Sequence, residues 1–470
     1  MLEIEPDLTD RLFTTFDFSR GAIAAVSGGS DSTALLLLLK EHMDRNVPAA
    51  RLLAVTVDHD LRAGSATEAQ AVAALCAERG IAHRTLLWSG SKPASGLPAA
   101  AREARYRLLA ELARSEGPGL IVTGHTADDQ AETVLMRKSR DNEVGDREVS
   151  QEGVNDGGRG LAGMAPATLY DWRTWIARPL LSMRRAALRE ALRQSGVGWI
   201  EDPTNTDVRF ERPRMRASLA GNQGERRIEG ALAKASDAAA SREEIGQRAA
   251  VLIGRLASTS APGLVRLDGD FADCVDSETA VYALRVLLAT IGGMPFLADE
   301  ARCRVLFARL RSGPLRATLS RTVVDARRTG IFLRREARNL PAAAPPVDNC
   351  LWDGRRRITL SNNSDGLVIA PLGSAAAKRA ALDEVAPQSL RRAALAVEPA
   401  VWVGGECLGF ASGADALRSV SIVAAVAPFA RFLPSFDLRP AAVVAALIGA
   451  PPLLAPPFRG HEGGAGWAKA

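Results

Sequence analysis

Lysine is scarce in this sequence, since it supplies only six of the 59 basic residues and arginine supplies the rest. Aromatic residues make up 5% of the chain, so the cores have to be built from aliphatic side chains. The net charge of +5 is small, so a polyanionic partner is compatible with the composition but not required by it. With 47% hydrophobic and 24% charged residues, the composition excludes a disordered polymer.

Cysteine is also sparse, and no two cysteines form a CxxC motif or a cluster with histidine. The five cysteines are Cys76, Cys274, Cys303, Cys350 and Cys407. An odd and dispersed set indicates reduced thiols, as in a cytoplasm. It argues against a disulfide scaffold and against a structural zinc or iron–sulfur site.

Long hydrophobic runs are missing as well. The longest, such as residues 34–39, fall far short of the roughly 18 residues that a membrane-spanning helix needs. The N-terminal segment 1–10 is acidic and has no apolar stretch of the kind found in signal peptides. We therefore expect a soluble, cytoplasmic protein with no membrane partner.

The first 215 residues alternate short β-branched runs with longer amphipathic stretches. Four of these runs are read as strands, at residues 21–26, 51–59, 81–88 and 119–125. Strands that alternate with helices of this length predict an α/β fold with a doubly wound parallel sheet. Such sheets bind ligands beyond the carboxyl ends of their strands.

The strongest local signal follows the first predicted strand and precedes a helix. It consists of Ser27, Gly28, Gly29, Ser30, Asp31 and Ser32. Two glycines allow a ligand to approach the backbone, and the N–H groups at a helix start bind anions. Asp31 would repel a phosphate directly, so its expected role is to hold a Mg²⁺ that bridges to one. A helix-capping turn is the alternative, and the chain contains no GxxxxGK[ST] motif.

Further polar segments follow the other predicted strands. In chain order they are 58–62 (DHDLR), 102–106 (REARY), 124–133 (GHTADDQAET), 160–164 (GLAGM), 178–181 (RPLL), 199–205 (WIEDPTN) and the arginines between 212 and 216. The SGGSDS loop resembles that of the PP-loop ATP pyrophosphatases. With the other segments, in this order, the chain resembles the tRNA(Ile)-lysidine synthetase family.

This resemblance implies a specific reaction. The family uses ATP to adenylate the wobble cytidine of the isoleucine tRNA with a CAU anticodon, and L-lysine then displaces AMP to give lysidine. The products are AMP and pyrophosphate, and the tRNA then reads AUA instead of AUG. ATP as a substrate, Mg²⁺, L-lysine and this tRNA are therefore the expected ligands and partners, and the oligomeric state is left open, with a homodimer as one option.

The resemblance also assigns site residues. It implies that the loop 27–32 binds ATP and that Asp31, Arg105 and Asp129 are catalytic. His125, Asp129 and Arg105 are expected to bind lysine, and Asp31 the metal. His125 and Asp129 are read as lying on one face at a helix start. The residues expected to bind tRNA are Arg212, Arg214, Arg216, Arg334, Arg335 and Arg338.

Simpler readings exist for several of these positions. Asp128 is also explained as a helix cap, His59 as a packed loop histidine, and Asn205 as the cap of a turn. Arg102 is as well explained as a solvated residue of a helix face. Arg335 and Arg338 flank Glu336, and a structural ion-pair network is the alternative to a phosphate-binding face there.

Three other functions compete with the main one. A tRNA thiolase would need a reactive cysteine, and only Cys76 lies in the predicted catalytic domain. A small-molecule amidating synthetase resembles the loop but not the later segments. A non-catalytic RNA-binding protein is the third, and the complete loop counts against it.

The chain is too long for one ordinary domain, so several are expected. We predict a PP-loop catalytic domain at 1–216, a helical connector at 217–261, an α+β tRNA-binding domain at 262–345, a strand-rich C-terminal domain at 346–450 and a loose tail at 451–470. Two features depart from the family pattern. Residues 139–160 form a polar stretch that reads as a mobile insertion, and Pro213 replaces a customary asparagine.

Overall fold

The computed structural model describes residues 6–62, 64–145, 159–202, 207–361, 366–379, 387–410 and 419–459. These residues divide into two compact units. Unit 1 comprises the described residues of 1–149, 159–240 and 454–470, and unit 2 comprises those of 241–453. No helix among the described residues is long and apolar enough to cross a membrane.

Unit 1 alternates strands and helices over most of its length. Its helices are α1 (Pro6–Phe13), α2 (Ser30–Asn46), α3 (Ser65–Glu78), α4 (Leu97–Glu116), α5 (Ala127–Gly145), α6 (Arg185–Gln194) and α7 (Glu211–Ser218), followed by α8 (Asn222–Leu256), which continues into unit 2. Its strands are β1 (Ala22–Ala25), β2 (Leu52–Asp58), β3 (Ala82–Leu87), β4 (Leu120–Thr123), β5 (Ala167–Tyr170) and β6 (Thr174–Ala177).

These strands form a mostly parallel sheet in the order β5-β6-β4-β1-β2-β3. β1 pairs in parallel with both β2 and β4, and only β5 runs antiparallel to its neighbour β6. The sheet core is aliphatic, as the composition predicts, and contains Ile23, Leu53 and Ile121 beside the buried Tyr106 and Tyr170. The doubly wound α/β fold is confirmed.

The strand order places a topological switch point between β1 and β4. From β1 the chain proceeds outward through β2 and β3, and it then returns to the other side of β1 as β4. The loops that follow β1 and β4 therefore leave adjacent strands in opposite directions and open a crevice there. Gly124 lies in this crevice so close to α2 that a Cβ atom would stand 2.8 Å from the carbonyl oxygen of Asp31.

Helix α5 is longer than the sequence pattern suggests. It extends to Gly145, so the first residues of the predicted insertion 139–160 are helical. The segment 146–158 lies outside the described residues, and a short 3₁₀ helix follows at Arg159–Ala162. One face of α5 packs its Ala131 and Val134 against Ile228 and Ala231 of α8.

Unit 2 combines helices with antiparallel sheets. Its further helices are α9 (Ser277–Gly292), α10 (Glu300–Arg311), α11 (Gly373–Arg379), α12 (Gln388–Leu395) and α13 (Leu438–Ile448). Its strands are β7 (Ala257–Ala261), β8 (Leu264–Leu267), β9 (Leu315–Leu319), β10 (Thr322–Arg327), β11 (Gly330–Arg335), β12 (Leu351–Trp352), β13 (Arg356–Leu360), β14 (Leu367–Pro371), β15 (Pro399–Val403), β16 (Glu406–Phe410), β17 (Val420–Ala424) and β18 (Phe432–Pro434).

Three sheets organise this unit. The first has the order β7-β8-β11-β10-β9, and the others have the orders β12-β13-β17 and β14-β15-β16. Residues Ile358, Ile369, Val401 and Ile422 form one core beneath the two smaller sheets. The strand-rich character expected after residue 346 is therefore present.

The structure bears on two of the expected boundaries. The tail 451–470 was predicted to be loose, but its first part forms contacts. Phe458 pairs with Phe16, and the Asp17 N–H donates to the carbonyl of Pro457. These contacts extend to Arg459, and 460–470 lie outside the described residues. The division between the units falls within α8, inside the predicted connector, and the functional domain limits remain a prediction.

Candidate active site

The loop between β1 and α2 is tightly closed by its own hydroxyl groups. The Ser27 N–H donates to Ser32 Oγ at 3.1 Å, and Ser32 Oγ in turn donates to the carbonyl of Gly29 at 3.1 Å. Ser30 Oγ donates to Asp31 Oδ1 at 2.9 Å. The N–H groups in the first turn of α2 have no acceptor within the helix. They form an anion site at the carboxyl end of β1.

Gly28 is required for this loop conformation. Its φ of +84° lies in the left-handed region, and an added Cβ would stand 2.5 Å from Ile200 Cδ1. The Ile200 N–H also donates to the Gly28 carbonyl at 2.8 Å. The segment 199–202 therefore packs directly onto the loop, which explains why its residues accompany the loop in the sequence pattern.

Arg185 connects the loop to the neighbouring strand end. Its Nε donates to Asp31 Oδ2 at 2.8 Å, and its Nη2 lies 3.1 Å from Asp129 Oδ1. Its Nη1 also donates to Glu132 Oε1 at 3.3 Å. Burial alone would lower the pKa of Arg185, but the charges of Asp129, Asp31 and Glu132 outweigh it and raise the pKa above its ordinary value. Three carboxylates and this guanidinium form what we call the Arg185 cluster.

Asp129 has a second contact that fixes its orientation. Its Oδ2 accepts the Thr126 N–H at 3.0 Å and the Thr126 hydroxyl at 2.9 Å, as in a capping box at the start of α5. The opposite oxygen faces Arg185. Asp129 is therefore both a cap and a member of the Arg185 cluster.

Glu132 extends the cluster to α7. Its side chain is 2% exposed and accepts from Arg216 Nε at 2.9 Å as well as from Arg185. A buried carboxylate with two guanidinium partners is well compensated. Arg216, which the resemblance assigned to tRNA, thus forms an ion pair with a buried carboxylate of the site.

Asp128 caps a helix, although not its own. Its Oδ2 accepts the Arg185 N–H at 2.7 Å, at the first residue of α6, and its Oδ1 lies 3.2 Å from Arg184 Nη2. Arg184 also pairs with Glu225 at 2.7 Å. Hydrogen bonds that Arg184 donates to both carboxylates, Glu225 first and then Asp128, raise the pKa of Arg184 above its ordinary value. The simpler reading of Asp128 as a capping residue is supported.

His125 lies before α5 and not on it. Because α5 begins at Ala127, the helical spacing expected between His125 and Asp129 does not apply. Thr123 Oγ1 lies 3.3 Å from the Ala177 carbonyl oxygen and 2.9 Å from His125 Nδ1. Its single hydrogen can serve either contact, so the geometry is compatible with both neutral tautomers of His125.

A group of arginines surrounds His125. Burial, together with the positive charges of Arg178, Arg105, Arg102 and Arg212, holds the pKa of His125 well below its usual range. The imidazole is therefore neutral at physiological pH. The same surroundings make this side of the crevice strongly positive, and we call it the arginine side.

Arg105 stands beside Tyr106 on α4. Among the described residues its buried Nε has no hydrogen-bond partner, while its guanidinium lies 5.3 Å from the Tyr106 ring centre. Burial would raise the pKa of Tyr106, but Arg105, Arg178 and Arg102 together lower it to about 8. A buried donor without a partner suits an anionic ligand group.

Two other residues can be assigned a structural role. His59 packs edge-on against Trp88 with ring centres 5.9 Å apart, which favours its reading as a packed loop histidine. Burial raises the pKa of the Cys76 thiol to about 11, the opposite of what a nucleophilic cysteine needs. Asn205 lies outside the described residues.

The arginines expected to bind tRNA differ in their exposure to solvent. Arg212 and Arg214 are exposed, and Arg338 is exposed as well. Arg335 is 0% exposed, and both its Nε and Nη2 lie 3.1 Å from the carboxylate of Asp353. A fully buried guanidinium cannot reach a phosphate, so its assignment to tRNA is wrong and the ion-pair alternative is right for this residue.

Arg334 is also removed from the surface. It is 7% exposed, and its Nη1 donates to the Arg335 carbonyl at 3.3 Å. Burial lowers the pKa of Arg334. Its assignment to tRNA is corrected for the same reason.

A divalent cation fits the Arg185 cluster by its chemistry. Mg²⁺ in nucleotide sites is bound by one or two carboxylates together with substrate phosphates. Arg185 shows that a cation is accommodated against both Asp31 and Asp129. Within the described residues no group of three or more ligating side chains forms a closed metal site by itself, so phosphate oxygens would have to complete the coordination.

Sequence reasoning missed Arg185 and Glu132. Glu132 lies within the recognised segment 124–133 and Arg185 lies just after 178–181, but the Arg185–Asp31 contact joins residues 154 positions apart. The sequence signal for Arg185 was that it follows another arginine, Arg184, four residues after the RPLL segment (178–181). Only the fold shows which acid it meets.

Comparisons with known proteins agree on one family. Residues 6–222 match the model of a PP-loop domain. A tRNA(Ile)-lysidine synthase of Mesorhizobium japonicum is 62% identical over 98% of this chain and 100% of its own length. The enzyme of the same name from Brucella melitensis is 38% identical over 93% of this chain and 97% of its own length.

Solved structures give only a remote likeness. The U34-tRNA thiolase NcsA from Methanococcus maripaludis is 15% identical with a TM-score of 0.38, and the match covers 49% of this chain and 76% of that one. An NMN synthetase from Francisella tularensis is 12% identical with a TM-score of 0.30, over 49% and 94% respectively. Likenesses this remote give no information about the substrate of this chain.

Proposed function

Because the chain belongs to the tRNA(Ile)-lysidine synthase family, we propose that the loop 27–32 binds ATP and Mg²⁺ next to a lysine site at His125, Asp129 and Arg105. The chain is an ATP-dependent ligase that forms lysidine on isoleucine tRNA. The finer proposal concerns which residues hold each substrate. The observation that carries it is the single guanidinium of Arg185, which contacts both Asp31 and Asp129.

ATP is held through its phosphates. The loop N–H groups and hydroxyls bind the pyrophosphate portion at the start of α2. Asp31 would hold a Mg²⁺, which would supply positive charge against the phosphates. The C2 carbonyl of cytidine is a poor electrophile, and adenylation of its oxygen gives the base a good leaving group.

L-Lysine is held between opposite charges. Its carboxylate suits Arg105, whose Nε is a buried donor without a partner among the described residues. Its ε-amine suits Asp129, and the neutral His125 lines the same site. The attacking ε-amine has to be neutral, and the Asp129 carboxylate is an acceptor for the proton that it loses.

The tRNA substrate has the CAU anticodon, and we propose that it contacts the exposed Arg212 and Arg214 of α7 and Arg338 of unit 2. Replacing these three would lower affinity without selecting another tRNA, since phosphate contacts carry no sequence information. A cytoplasmic location fits this substrate. A homodimer remains a prediction, which sedimentation velocity of the full chain tests.

One assay tests the proposal. Purified chain should convert ATP to AMP and pyrophosphate repeatedly only when both L-lysine and isoleucine tRNA with a CAU anticodon are present, and the tRNA should gain one lysine. With this tRNA but no lysine, pyrophosphate release should stop once the tRNA is adenylated. The methionine tRNA, which shares the anticodon, serves as the matched control. Pyrophosphate release without lysine transfer, in the presence of all substrates, would contradict the proposed lysine site.

A further inference from the structure

A surface pocket of about 550 Å³ lies between α5 and the first half of α8, within unit 1. Its floor is apolar and contains Val134, Leu135 and Leu161, while Lys138, Arg227 and Lys234 stand around it. None of these residues belongs to the arginines already assigned to tRNA.

The two lysines are an unusual pair in this chain. Only six lysines occur in 470 residues, and two of them line one pocket from different helices. Both are exposed, and the positive charge of the neighbouring Lys234 lowers the pKa of Lys138. Like charges brought together in this way destabilise the fold slightly unless an anion joins them.

The chain provides no such anion among its described residues. Neither Lys138 nor Lys234 forms an ion pair there, and Arg227 donates only to the carbonyl of Ser218, at 3.0 Å. Nearby arginines behave differently, since Arg184 and Arg216 both pair with carboxylates. Among the described residues, the pocket therefore has three positive charges that no carboxylate compensates.

We propose that Lys138, Arg227 and Lys234 bind the phosphodiester backbone of the substrate tRNA, with the apolar floor against the sugar of a bound nucleotide. Cations spread around an open pocket suit successive phosphates better than one enclosed phosphate, which binds to converging donors. The choice of RNA as the polyanion rests on the proposed function. The inference that this pocket binds an anion does not depend on that function.

The test is tRNA binding by the double variant Lys138→Gln/Lys234→Gln at several salt concentrations. Each lost phosphate contact should reduce the slope of log K against log salt by about 0.7 to 0.9. The double variant should thus lose between about one and two units of slope, and its affinity should fall on the order of tenfold near physiological salt. Both side chains are exposed, so the melting temperature should not change.

Two further variants keep the result interpretable. Lys40→Gln/Arg107→Gln removes the same charge from surface positions already paired with Asp44 and Glu111, and it should bind like the wild type. Lys138→Arg/Lys234→Arg keeps the charge and should keep the slope. An equal loss in the Lys40/Arg107 control, or a lost slope in the arginine variant, would overturn the inference.

The outcome also separates this inference from the proposed function. If the wild type binds the tRNA and forms lysidine while Lys138→Gln/Lys234→Gln keeps the full slope, only the pocket is wrongly assigned. If the wild type neither binds this tRNA nor forms lysidine, the proposed function itself fails.

Discussion

The buried Arg335 allows a test of whether the basic residues Arg334, Arg335 and Arg338 stabilise the fold or bind tRNA. Its guanidinium contacts Asp353 through two nitrogens, and its Nη1 donates to the carbonyls of Glu336 at 2.6 Å and Arg338 at 3.0 Å. Breaking a buried ion pair costs about 3 to 5 kcal/mol. Asp353 keeps Arg321 and Arg355 as partners, so we expect Arg335→Gln to cost about 3 kcal/mol, the lower end of that range.

For a unit of this size, about 1 kcal/mol corresponds to roughly 2–4 °C. Arg335→Gln should therefore lower the melting temperature by about 6–12 °C, measured by calorimetry on the full chain. The salt dependence of tRNA binding should keep its slope, because no exposed charge is lost.

Arg338→Gln is the matched control, three residues away and exposed. It should melt within about 1 °C of the wild type, as expected for a surface position, while the slope of log K against log salt falls by up to about 0.9. A wild-type melting temperature for Arg335→Gln, together with a flatter salt dependence, would refute the structural role and restore the docking one.

The crevice itself offers three more tests. Asp31→Ala should abolish adenylation, measured as pyrophosphate release, while tRNA binding stays within a few-fold; wild-type turnover would exclude Asp31 as the metal ligand. Asp129→Asn should raise the KM for lysine much more than the Kd for ATP, whereas Asp128→Asn should mainly lower the melting temperature; unchanged lysine use would leave Asp129 as a cap only. The folded state holds His125 neutral with a lowered pKa, so its contribution to stability is complete above the unfolded pKa of about 6.5 and is lost as the pH falls below it. The unfolding free energy of the wild type should fall as the pH drops from about 6.5 to about 5. His125→Gln should reduce the slope of that fall by at most about 1.4 kcal/mol per pH unit, measured by denaturant titration at each pH. An unchanged slope would contradict the lowered pKa of His125.

The sheet and the place of the site could be predicted because both depend on local pattern. Runs such as 21–26 and 119–125 are short, apolar and followed by polar loops, and they became β1 and β4. Once those strands are adjacent, the loops after them must share a crevice. Hydrophobic periodicity and turn chemistry are properties of neighbouring residues, so one sequence contains them.

The partners of the arginines could not be predicted in the same way. The sequence assigns Arg216 to tRNA, yet Arg216 pairs with Glu132. Arg184 and Arg185, at the start of α6, likewise pair with Glu225 and Asp31. Each of these acids lies in another segment of the chain. Counting the charges within one segment includes the arginines but not the acids that pair with them, so it overestimates the positive charge that remains for RNA.

The same limit applies to Arg335 and Arg338, which the sequence presents as equivalent. Arg335 is the last residue of β11 and is buried, while Arg338 follows in the turn and is exposed. Arg335 is buried because β11 lies between β8 and β10 and because Asp353, 18 positions away, faces its guanidinium. The ion-pair alternative considered from Glu336 was thus right in kind, but the acid was a different one.

The charges of the crevice are divided in a way that fits the ligands proposed for it. In the Arg185 cluster, the carboxylates of Asp31, Asp129 and Glu132 outnumber the guanidiniums of Arg185 and Arg216 by one. Added positive charge, from Mg²⁺ or from an amine, is therefore favourable there. On the arginine side, positive charges surround His125 instead, which favours an anionic group. L-Lysine has its carboxylate at one end and its ε-amine at the other, so the proposed site attracts both ends only when the carboxylate points to the arginine side and the ε-amine to Asp129. We therefore expect the field that keeps His125 neutral to set the direction of lysine binding.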